Sequence, residues 1–456
     1  MMRLFTLAGL FVFLVLQPSI VLAGIITVGP AGSGAAYNDI ADAIAAALPG
    51  DTIRIAPGEY VDATPLVVDK PLTILGAGST QTSFQAVAAT IPASPLPLLI
   101  DGLQAGEEVR IVGLTLSSQA VSGNPASALV VQNCVGPVVL ADVVRGPPTP
   151  NVATPGLVQV RGSAQVIFDR CQFDAGVSLG ETTPGMVIEN SVVYINESFI
   201  EGGDAAAVGF FPLPPDHGAV GLVATGSEVR LSRSTVRGGD GAGSLLDPTF
   251  ALASDGAAAI LASASQVLIR GGSGNWLVGG KGGLALASGM TAVGNGGFAI
   301  EHDATSLIST ASDVFLQAGP DGLGVLPSMP VAGAGLWHQV PTPMATIDVN
   351  SSQVGLGSAV SLDLAGEAGG LALTYAALSQ VSAIHAPGIY GKIIVDPATA
   401  VPLLPQTLNV LGEASLTLPI PPLSSLVGIT ALFQVYTVGT SGTLSLSAPA
   451  LVAVVR

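Results

Sequence analysis

Residues 25–76 decide the fold, and they read IITVGPAGSGAAYNDIADAIAAALPGDTIRIAPGEYVDATPLVVDKPLTILG. Asn38 or Asp39 can cap a short helix, because either side chain can accept hydrogen bonds from the first free backbone N–H groups. Apolar residues then recur at helical spacing until a Pro-Gly pair at 49–50 ends the helix. Residues 51–55 then read as the first strand. The stretch therefore predicts one short helix that leads into a series of strands.

The body of the chain carries a short repeat, in which Val-x-(Ile/Leu/Phe) is followed by polar residues and then by glycine. The first residues of successive copies are 29, 28, 27, 36 and 38 positions apart, and a second apolar segment precedes most copies. The copies are Val109–Ile111, Val138–Leu140, Val166–Phe168, Val193–Ile195, Val229–Leu231 and Val267–Ile269.

Strands this short cannot bury a hydrophobic face alone, so each coil must stack on the previous one, at about 4.8 Å, and share its interior. Glycine supplies the positive φ that sharp corners between strands demand. The variable spacing places loops of different lengths at these corners. An antiparallel sandwich would show hairpins with two-residue turns, which we do not find in the repeat region. The repeat therefore predicts an all-β parallel β-helix.

The stretch from Tyr37 to Tyr60 resembles the opening of right-handed parallel β-helix proteins of the pectin-lyase-like superfold. Those proteins share the pattern Y-x-x-I-x-x-A-I-x-x-A-x-x-G-D-T-I-x-I-x-P-G-x-Y, which this stretch matches. The resemblance implies that the helix plugs the open end of the solenoid, where an uncovered apolar coil would template aggregation. It implies a fold and no particular chemistry.

The C-terminal part of the chain has a different pattern. From about Thr346 the corner motif disappears and apolar residues alternate, as at Leu416 and Leu418, which predicts strands with one buried face. This part resembles the small C-terminal β-sandwich of planctomycete-type secreted bacterial proteins, which implies attachment or sorting rather than an activity. Residues 319–345, rich in Gly and Pro, would connect the two units. The resemblance is carried by Gly412, Ile420, Pro421, Leu426, Gly428 and Gln434.

The first residues have the pattern of a Sec-type secretion signal. One cation, Arg3, precedes an apolar stretch at 7–16, and small side chains precede Gly24, where a signal peptidase would cut. An uncleaved membrane anchor is the alternative, but the apolar stretch is shorter than the ~20 residues that a span requires. We therefore predict secretion or display at the cell surface, no membrane span in the mature chain, and three segments: a signal peptide at 1–23, a parallel β-helix domain at 24–330 and a C-terminal β-sandwich domain at 346–456.

The composition excludes several classes of protein. The 456-residue chain is 49% hydrophobic and only 10% charged, with 58 Gly and 33 Pro. It is too apolar for a charge-rich disordered chain, and so much Gly and Pro disfavours a helical bundle. The net charge of −17 and the lack of a basic run exclude nucleic acid as a partner. The two cysteines, Cys134 and Cys171, either form one disulfide or stay as buried free thiols.

Charged residues recur at fixed places in the repeat, and equivalent places become vertical neighbours when coils stack. The residues four places after the leading valine alternate in sign. This alternation predicts a ladder of opposite charges along a solvated outer face, which sets the register of the coils. These residues are Asp142, Arg170, Glu197 and Arg233.

Eight places after the leading valine lie Asp174, Glu201 and Arg237, which are candidate ligand-binding residues. A second solvated ladder is one interpretation of them, and a sugar-binding or lyase-like face is the other. The polysaccharide lyases that the fold resembles use Asp or Glu to hold Ca²⁺ and a cation to abstract a proton. No motif of those enzymes can be carried over onto this chain, so no catalytic residue is predicted.

Asp204 and Asp240 are the candidate metal ligands. Each follows a Gly-Gly corner, eleven places after its leading valine, so that two carboxylates one coil apart could share Ca²⁺. Because Ca²⁺ takes about six to eight oxygen ligands and the sequence names two, solvated aspartates are the simpler interpretation. No other cofactor is predicted.

These patterns favour a secreted or cell-surface scaffold or binding protein without an evident catalytic site. Its expected partners are extracellular polysaccharide or cell-envelope components. The alternative is an extracellular polysaccharide lyase or glycoside hydrolase of the pectin-lyase-like superfold, which would need a cleft lined by unpaired acids and a cation. The longest inserts, at 204–221 and 241–258, carry few aromatic residues, which weighs against sugar chemistry.

Overall fold

A computed structural model describes most of the chain after residue 23. The predicted signal peptide lies outside the described residues. Within them, no helix is both long and apolar enough to cross a bilayer. The described ranges are 24–87, 96–119, 127–145, 157–178, 182–206, 217–247, 250–270, 275–287, 290–326, 329–340, 344–386 and 389–455.

Residues 25–340 form a parallel β-helix in which each full coil contributes one strand to each of three sheets. Two strands, Val109–Gln119 and Val138–Arg145, bend through the corner and belong to both sheet 1 and sheet 2. Sheet 1 also contains Ile25–Val28, Thr52–Ile55, Leu72–Leu75, Val166–Asp169, Val192–Asn196, Glu228–Ser232, Gln266–Arg270, Leu307–Ala311 and Leu336–Val340. Sheet 2 also contains Gly58–Asp62, Thr82–Val87, Gln172–Asp174, Phe199–Glu201, Thr235–Arg237, Trp276–Val278 and Phe315–Gln317. Sheet 3 contains Leu66–Val68, Leu98–Asp101, Ser127–Gln132, Leu157–Arg161, Met186–Glu189, Leu222–Thr225, Ile260–Ser263, Ile300–His302 and Val331–Gly333.

The six valine-led triplets lie on successive rungs of sheet 1. Val138 pairs in parallel with Val109 and Val166, and the same register continues through Val193 and Val229 to Val267. The first and third residues of every triplet lie in one buried core that runs the length of the solenoid. The predicted parallel β-helix with a single interior is therefore confirmed.

The predicted charge ladder forms the corner between sheet 1 and sheet 2. All four of its residues have φ between 48° and 51°, in the left-handed region that non-glycine residues seldom adopt. We call this set the corner column, and it consists of Asp142, Arg170, Glu197 and Arg233.

One helix, Ile40–Ala46 (α1), covers the N-terminal end of the core. Its cap is Asp39, whose Oδ1 accepts hydrogen bonds from the backbone N–H groups of Ala41 and Asp42. Ile40 and its helical neighbours on one face are buried against the first coils. The helix therefore closes the end of the solenoid, as the resemblance implied.

In several coils the chain does not pass directly from sheet 2 to sheet 3. It leaves sheet 2 in one glycine-rich segment, the outgoing arm, and reaches sheet 3 through a second one, the returning arm. Hydrogen-bond partners in the outgoing arm repeat every third residue: Gly238 N–H donates to Val278 O and Gly241 N–H donates to Lys281 O. A repeat of three residues is that of a polyproline II-type chain and not of a β-strand. The outgoing segments are 202–205, 238–243 and 279–284, and the returning segments are 217–221, 254–259 and 294–299.

The glycines of these arms provide space rather than positive φ, contrary to the expectation for corner glycines. None of the arm glycines at these positions has a positive φ. A Cβ on Gly239 would lie 2.1 Å from Gly203 O, and a Cβ on Gly280 would lie 1.9 Å from Gly239 O. Gly319 repeats the relationship one coil further, at 1.9 Å from Gly280 O. Only glycine allows the arms to stack this closely.

Two arms end in antiparallel hairpins, whereas the repeat predicted only parallel strands. Gly243–Asp247 pairs with Phe250–Ala253, and Leu284–Ala287 pairs with Met290–Val293. A further short parallel pair joins Val177–Ser178 to Asp204–Ala205. These strands form separate two-stranded sheets and do not interrupt the three parallel sheets of the solenoid.

Residues 319–345 are more than the connection that their Gly and Pro content predicted. Val331–Gly333 pairs with sheet 3 and Leu336–Val340 pairs with sheet 1, so the solenoid continues beyond residue 330. The backbone groups of these two short strands pair with the strands of the preceding coil. The strands can therefore form without a periodic apolar pattern in their own sequence.

The C-terminal part folds as a β-sandwich, as predicted, with a buried apolar core between its two main sheets. One sheet contains Thr346–Val349, Ala359–Ala365 and Glu413–Pro419. The other contains Gln353–Gly355, Leu371–Ala377, Val401–Pro402, Gln406–Thr407, Thr430–Val438, Leu444–Leu446 and Ala450–Val455. A hairpin of Gln380–His385 with Lys392–Val395 and a 3-10 turn at Ser424–Leu426 complete it.

The sandwich packs on the outer face of sheet 1, and we call this interface the docking seam. Val139 and Ile167, the middle residues of two triplets, lie in one buried cluster with Leu432 and Leu451 of the sandwich. At the margin of the seam, Arg233 Nη2 donates to Asp348 Oδ2 at 2.8 Å. The sandwich covers this side of the solenoid, while the next face, sheet 2, keeps exposed side chains.

Docking overturns the expectation that the corner column is solvated. The side chains of Arg170, Glu197 and Arg233 are only 14–19% exposed. Arg170 Nη2 also donates to Leu451 O of the sandwich at 2.8 Å. The sequence pattern correctly predicted that these charged residues lie in one column. It did not predict that the sandwich packs over them.

Candidate functional site

The outer face of sheet 2 carries two parallel columns of side chains that reach solvent. They arise because residues two apart on a strand point to the same side, and the parallel register repeats them on every rung. The aromatic column consists of Gln172, Phe199, Thr235, Trp276 and Phe315. The polar column consists of Asp174, Glu201, Arg237, Val278 and Gln317.

Two exposed rings lie on neighbouring rungs of the aromatic column. Trp276 is 50% exposed and Phe315 is 45% exposed, while Leu277 between the columns is fully buried in the core. The centroids of the two rings are 4.8 Å apart and their planes are tilted by 43°. The strands hold both rings in place, and one face of the pair is exposed to water. Such rings are available to pack against a ligand.

The polar column contains all three residues predicted to bind a ligand. Asp174 pairs with Glu201 and Glu201 pairs with Arg237 in the parallel register. Arg237 Nη1 lies 3.8 Å from Glu201 Oε1, and the two side chains are 51% and 25% exposed. The structure therefore brings these residues together, two positions along the strand from the aromatic column.

Glu201 has an altered proton affinity because of its surroundings. Partial burial, followed by the negative charges of Asp174 and Asp204, raises the pKa of Glu201 to about 7, although Arg237 opposes the shift. Near neutral pH this carboxyl is therefore a hydrogen-bond donor in part of the molecules and an acceptor in the rest.

The two predicted metal ligands lie just beyond the polar column, in the outgoing arms. Asp204 Oδ1 accepts from Asp240 N–H at 2.7 Å, and Asp240 Oδ1 accepts from Lys281 N–H at 2.7 Å. Each carboxylate thus caps the backbone of the next coil. Across the described ranges, no three His, Cys, Asp or Glu side chains converge as a metal site would require. Binding of Ca²⁺ between Asp204 and Asp240 stays a prediction.

A groove continues from the aromatic column toward the corner column. Phe199 and Thr235 line both a shallow depression of about 360 Å³ beside Trp276 and a larger one of about 590 Å³. The larger depression is also lined by Arg145 and Glu197. One face of the molecule thus joins exposed rings to a polar groove.

Glu197 is the most perturbed carboxyl of this groove. Burial, then a hydrogen bond with Asp348 and the charges of Asp169 and Asp348, raise the pKa of Glu197 to about 10. Arg170 and Arg233 do not reverse this shift, because they are two cations facing three carboxyls, Asp169, Glu197 and Asp348. Glu197 is therefore neutral near pH 7.

The repeat spacing does not reveal the aromatic column, because the number of residues between the leading valine and this column differs from coil to coil. Phe199 follows its leading valine, Val193, by six positions, but Trp276 follows Val267 by nine. Three more residues therefore separate Trp276 from its leading valine, and this difference hides the equivalence. Aligning the strands by alternation rather than by distance from the valine would have placed the rings in one column.

The cysteines are free thiols, as one of the two interpretations held. Cys134 and Cys171 are both buried and unbonded to each other. Burial is the main cause that raises the pKa of Cys171 to about 12, which leaves this thiol unreactive near neutral pH.

Comparisons with known proteins concern the fold. No protein-family model matches the chain, and no curated protein matches it. The similar solved structures include the following three. A pectin methylesterase from Aspergillus niger is 15% identical with a TM-score of 0.29, over 71% of this chain and 85% of that one. The tailspike protein 2 of Escherichia coli O157:H7 bacteriophage CAB120 is 12% identical with a TM-score of 0.26, over 90% of this chain and 61% of that one. The A-module of a mannuronan C-5 epimerase from Azotobacter vinelandii is 15% identical with a TM-score of 0.20, over 66% of this chain and 96% of that one. The parallel β-helix of this chain is assigned from the parallel pairing of its own strands.

Proposed function

We propose that this protein is an exported glycan-binding protein and that the outer face of sheet 2 is its binding surface. The observation that carries the proposal is the pair of exposed, adjacent rings of Trp276 and Phe315 beside the polar column. A soluble protein seldom leaves two adjacent large rings in water without a partner for them.

The chemistry of the two columns matches the chemistry of a sugar ring. The C–H faces of a pyranose are apolar and pack against aromatic rings, while its hydroxyl groups need both donors and acceptors. Arg237 supplies donors, Glu201 supplies either, and Gln317 supplies both an acceptor and donors. Because the columns repeat along the solenoid axis, they suit an extended chain of sugar units rather than one small molecule.

Export is supported by the position of Gly24. Its backbone nitrogen lies 2.7 Å from Asp51 Oδ1, and Asp51 Oδ2 accepts from Leu48 N–H at 2.8 Å. Cleavage before Gly24 would convert that nitrogen into an α-ammonium and the hydrogen bond into an ion pair. The end produced by the predicted cleavage would thus be fixed to the cap of the solenoid.

The experiment is native affinity electrophoresis in gels that contain xylan, β-glucan, polygalacturonate or alginate. We expect at least one polysaccharide to retard the wild-type protein and the W337A variant, and to leave the W276A variant unretarded. Trp337 is the matched control, because it is a tryptophan of similar exposure, 46%, on another strand. Equal retardation of both variants, or none of the wild type, would refute the proposal.

Cleavage of the bound glycan is a second candidate function, which the neutral Glu197 favours. A carboxyl that stays protonated near pH 7 can donate a proton to a glycosidic oxygen. Glu197 lines the groove that continues from Phe199. The test is release of reducing or unsaturated sugar ends from the same polysaccharides, with and without EDTA. Activity in the wild type that disappears in the E197Q variant would support this function, and no release would exclude it for these substrates.

A further inference from the structure

The docking seam contains a group of buried cations near its C-terminal coils. Arg230 and Arg270 are 8% and 2% exposed, and they lie on the outer face of neighbouring rungs of sheet 1. Lys392 of the sandwich joins them through Glu228, which pairs with both Lys392 and Arg230. One carboxylate therefore faces three cations in this group.

Three donor atoms of this group have no hydrogen-bond partner among the described residues. Arg230 Nη1, Arg270 Nε and the Tyr194 hydroxyl are each buried and form no hydrogen bond there. Tyr194 and Arg230 are register partners, and the Arg230 guanidinium lies 5.7 Å from the centre of the tyrosine ring. Arg270 is the diagonal neighbour of Arg230, a position within reach of long side chains.

An equivalent arginine, Arg110, lies four rungs earlier in sheet 1, and its guanidinium group has the hydrogen-bond partners that Arg230 lacks. Glu108-Val109-Arg110 repeats the motif Glu228-Val229-Arg230 at the same place in its coil. The Arg110 guanidinium binds Glu108, and it also donates to Thr430 O at 3.2 Å and to Leu378 O at 2.8 Å. The sandwich supplies carbonyl oxygens to Arg110, whereas it brings a further cation, Lys392, to Arg230.

The residues around Arg270 leave space and an acceptor for its guanidinium group. Its Nη1 donates to Leu446 O of the sandwich. Gly391 has a φ of +119°, and a Cβ at this position would lie 2.6 Å from Arg270 Nη2. Burial, followed by the repulsion of Arg230, lowers the pKa of Arg270 to about 9. A buried charge that lacks a counter-charge is strongly unfavourable, so the excess of positive charge requires a partner.

We propose that the docking seam binds one small inorganic anion of the halide class between Arg230, Arg270 and Tyr194. Three N–H and O–H donors around a net positive charge are the ligands that chloride takes. The anion neutralises the group and connects the sandwich to the solenoid. Since it binds the docked state, it stabilises the folded protein by mass action.

The test compares chloride with gluconate, which is too large for a buried site, in thermal unfolding at constant ionic strength. Chloride should raise the unfolding temperature of the wild type saturably, by at least about 2 °C. The R110M variant is the matched control: it should unfold earlier but keep the chloride dependence. The R270M and Y194F variants should lose it, and Y194F removes only a hydroxyl group, so folding is preserved.

A crystal of the wild-type protein grown in sodium bromide gives an independent measurement. We expect one anomalous peak within hydrogen-bond distance of Arg270 Nε and Arg230 Nη1. Equal unfolding temperatures in chloride and gluconate, together with no anomalous peak in the seam, would overturn the proposal. A chloride dependence shared by R270M and Y194F would also overturn it.

Discussion

The rings of Trp276 and Phe315 lie 4.8 Å apart on adjacent rungs of sheet 2, and each is about half exposed. The parallel register fixes this relationship, since the two residues are direct partners in the ladder. Neither ring belongs to the core, whose members on these strands are the residues between the two columns. The proposed glycan site rests on this tilted pair of rings.

Removing the Phe315 ring, which lies against Trp276, should weaken glycan binding less than removing Trp276 itself. We expect the F315A variant to lose roughly threefold to tenfold in affinity for the retarding polysaccharide, because an aromatic pair contributes about 0.5–1.5 kcal/mol beyond buried area. Isothermal titration against oligosaccharides of that polysaccharide measures the change. An F315A affinity equal to that of the wild type would show that the ring has no part in the site.

The arms should not tolerate a side chain at Gly280. The G280A variant places a Cβ 1.9 Å from Gly239 O, so the stacked arms must separate, and we expect a loss of at least about 2 kcal/mol of unfolding free energy. Gly203 is the matched control, because it begins the same ladder and its Cβ would lie 3.3 Å from the nearest atom. Urea denaturation of both variants measures the difference, and equal losses would contradict the stacked-arm geometry.

Glu201 should make the protein less stable as the pH rises. Its pKa is raised from 4.5 to about 7, mainly by burial, so the folded state holds the proton more tightly than the unfolded state. Stability therefore falls between about pH 4.5 and 7 and stays lower above that range. The E201Q variant should exceed the wild type by about 1–2 kcal/mol at pH 8, a value reduced for solvent screening, and match it at pH 4. Equal wild-type and E201Q stability at pH 8 would contradict the assignment, and E59Q, at an exposed position of sheet 2, is the control.

Two glutamates of the docking seam should respond to substitution in opposite ways. Burial is the main cause that raises the pKa of Glu197 to about 10, so wild-type stability falls as the pH rises from 4.5 toward 10. E197Q should remove this slope, about 1 kcal/mol per pH unit, without destabilising the protein at pH 7. Although burial opposes it, Arg230 and Lys392 lower the pKa of Glu228, so E228Q should lose stability at pH 7. Chemical denaturation at pH 5, 7 and 9 measures both effects, and identical slopes in E197Q and wild type would contradict a neutral Glu197.

The sequence was sufficient for the solenoid because its core is periodic. Each triplet from Val109 to Val267 buries its first and third residues, and that alternation fixes both the strand and its partner. The capping helix could also be predicted, since Asp39 and the apolar face of Ile40–Ala46 are local signals. The predicted grouping of Asp174, Glu201 and Arg237 in one column followed from the same register.

The rest depends on contacts between distant parts of the chain. The middle residue of a triplet, such as Ile167 or Tyr194, gives no sign that it will face the sandwich, because a solvated coil could carry the same residue. The arms have a period of three residues, which is set by hydrogen bonds between neighbouring coils. The local sequence Gly238–Gly239 is equally compatible with a turn, so it does not predict an arm. The aromatic column was hidden by the three additional residues between Val267 and Trp276.

Fluorescence of a single tryptophan tests the glycan site most directly. The chain has two tryptophans, so the W337F variant reports on Trp276 alone. Titration of W337F with oligosaccharides of the retarding polysaccharide should shift the emission of Trp276 to shorter wavelength, saturably, as a sugar ring displaces water from the indole. Retardation in the gel without any change in Trp276 emission would place the glycan elsewhere and contradict the account.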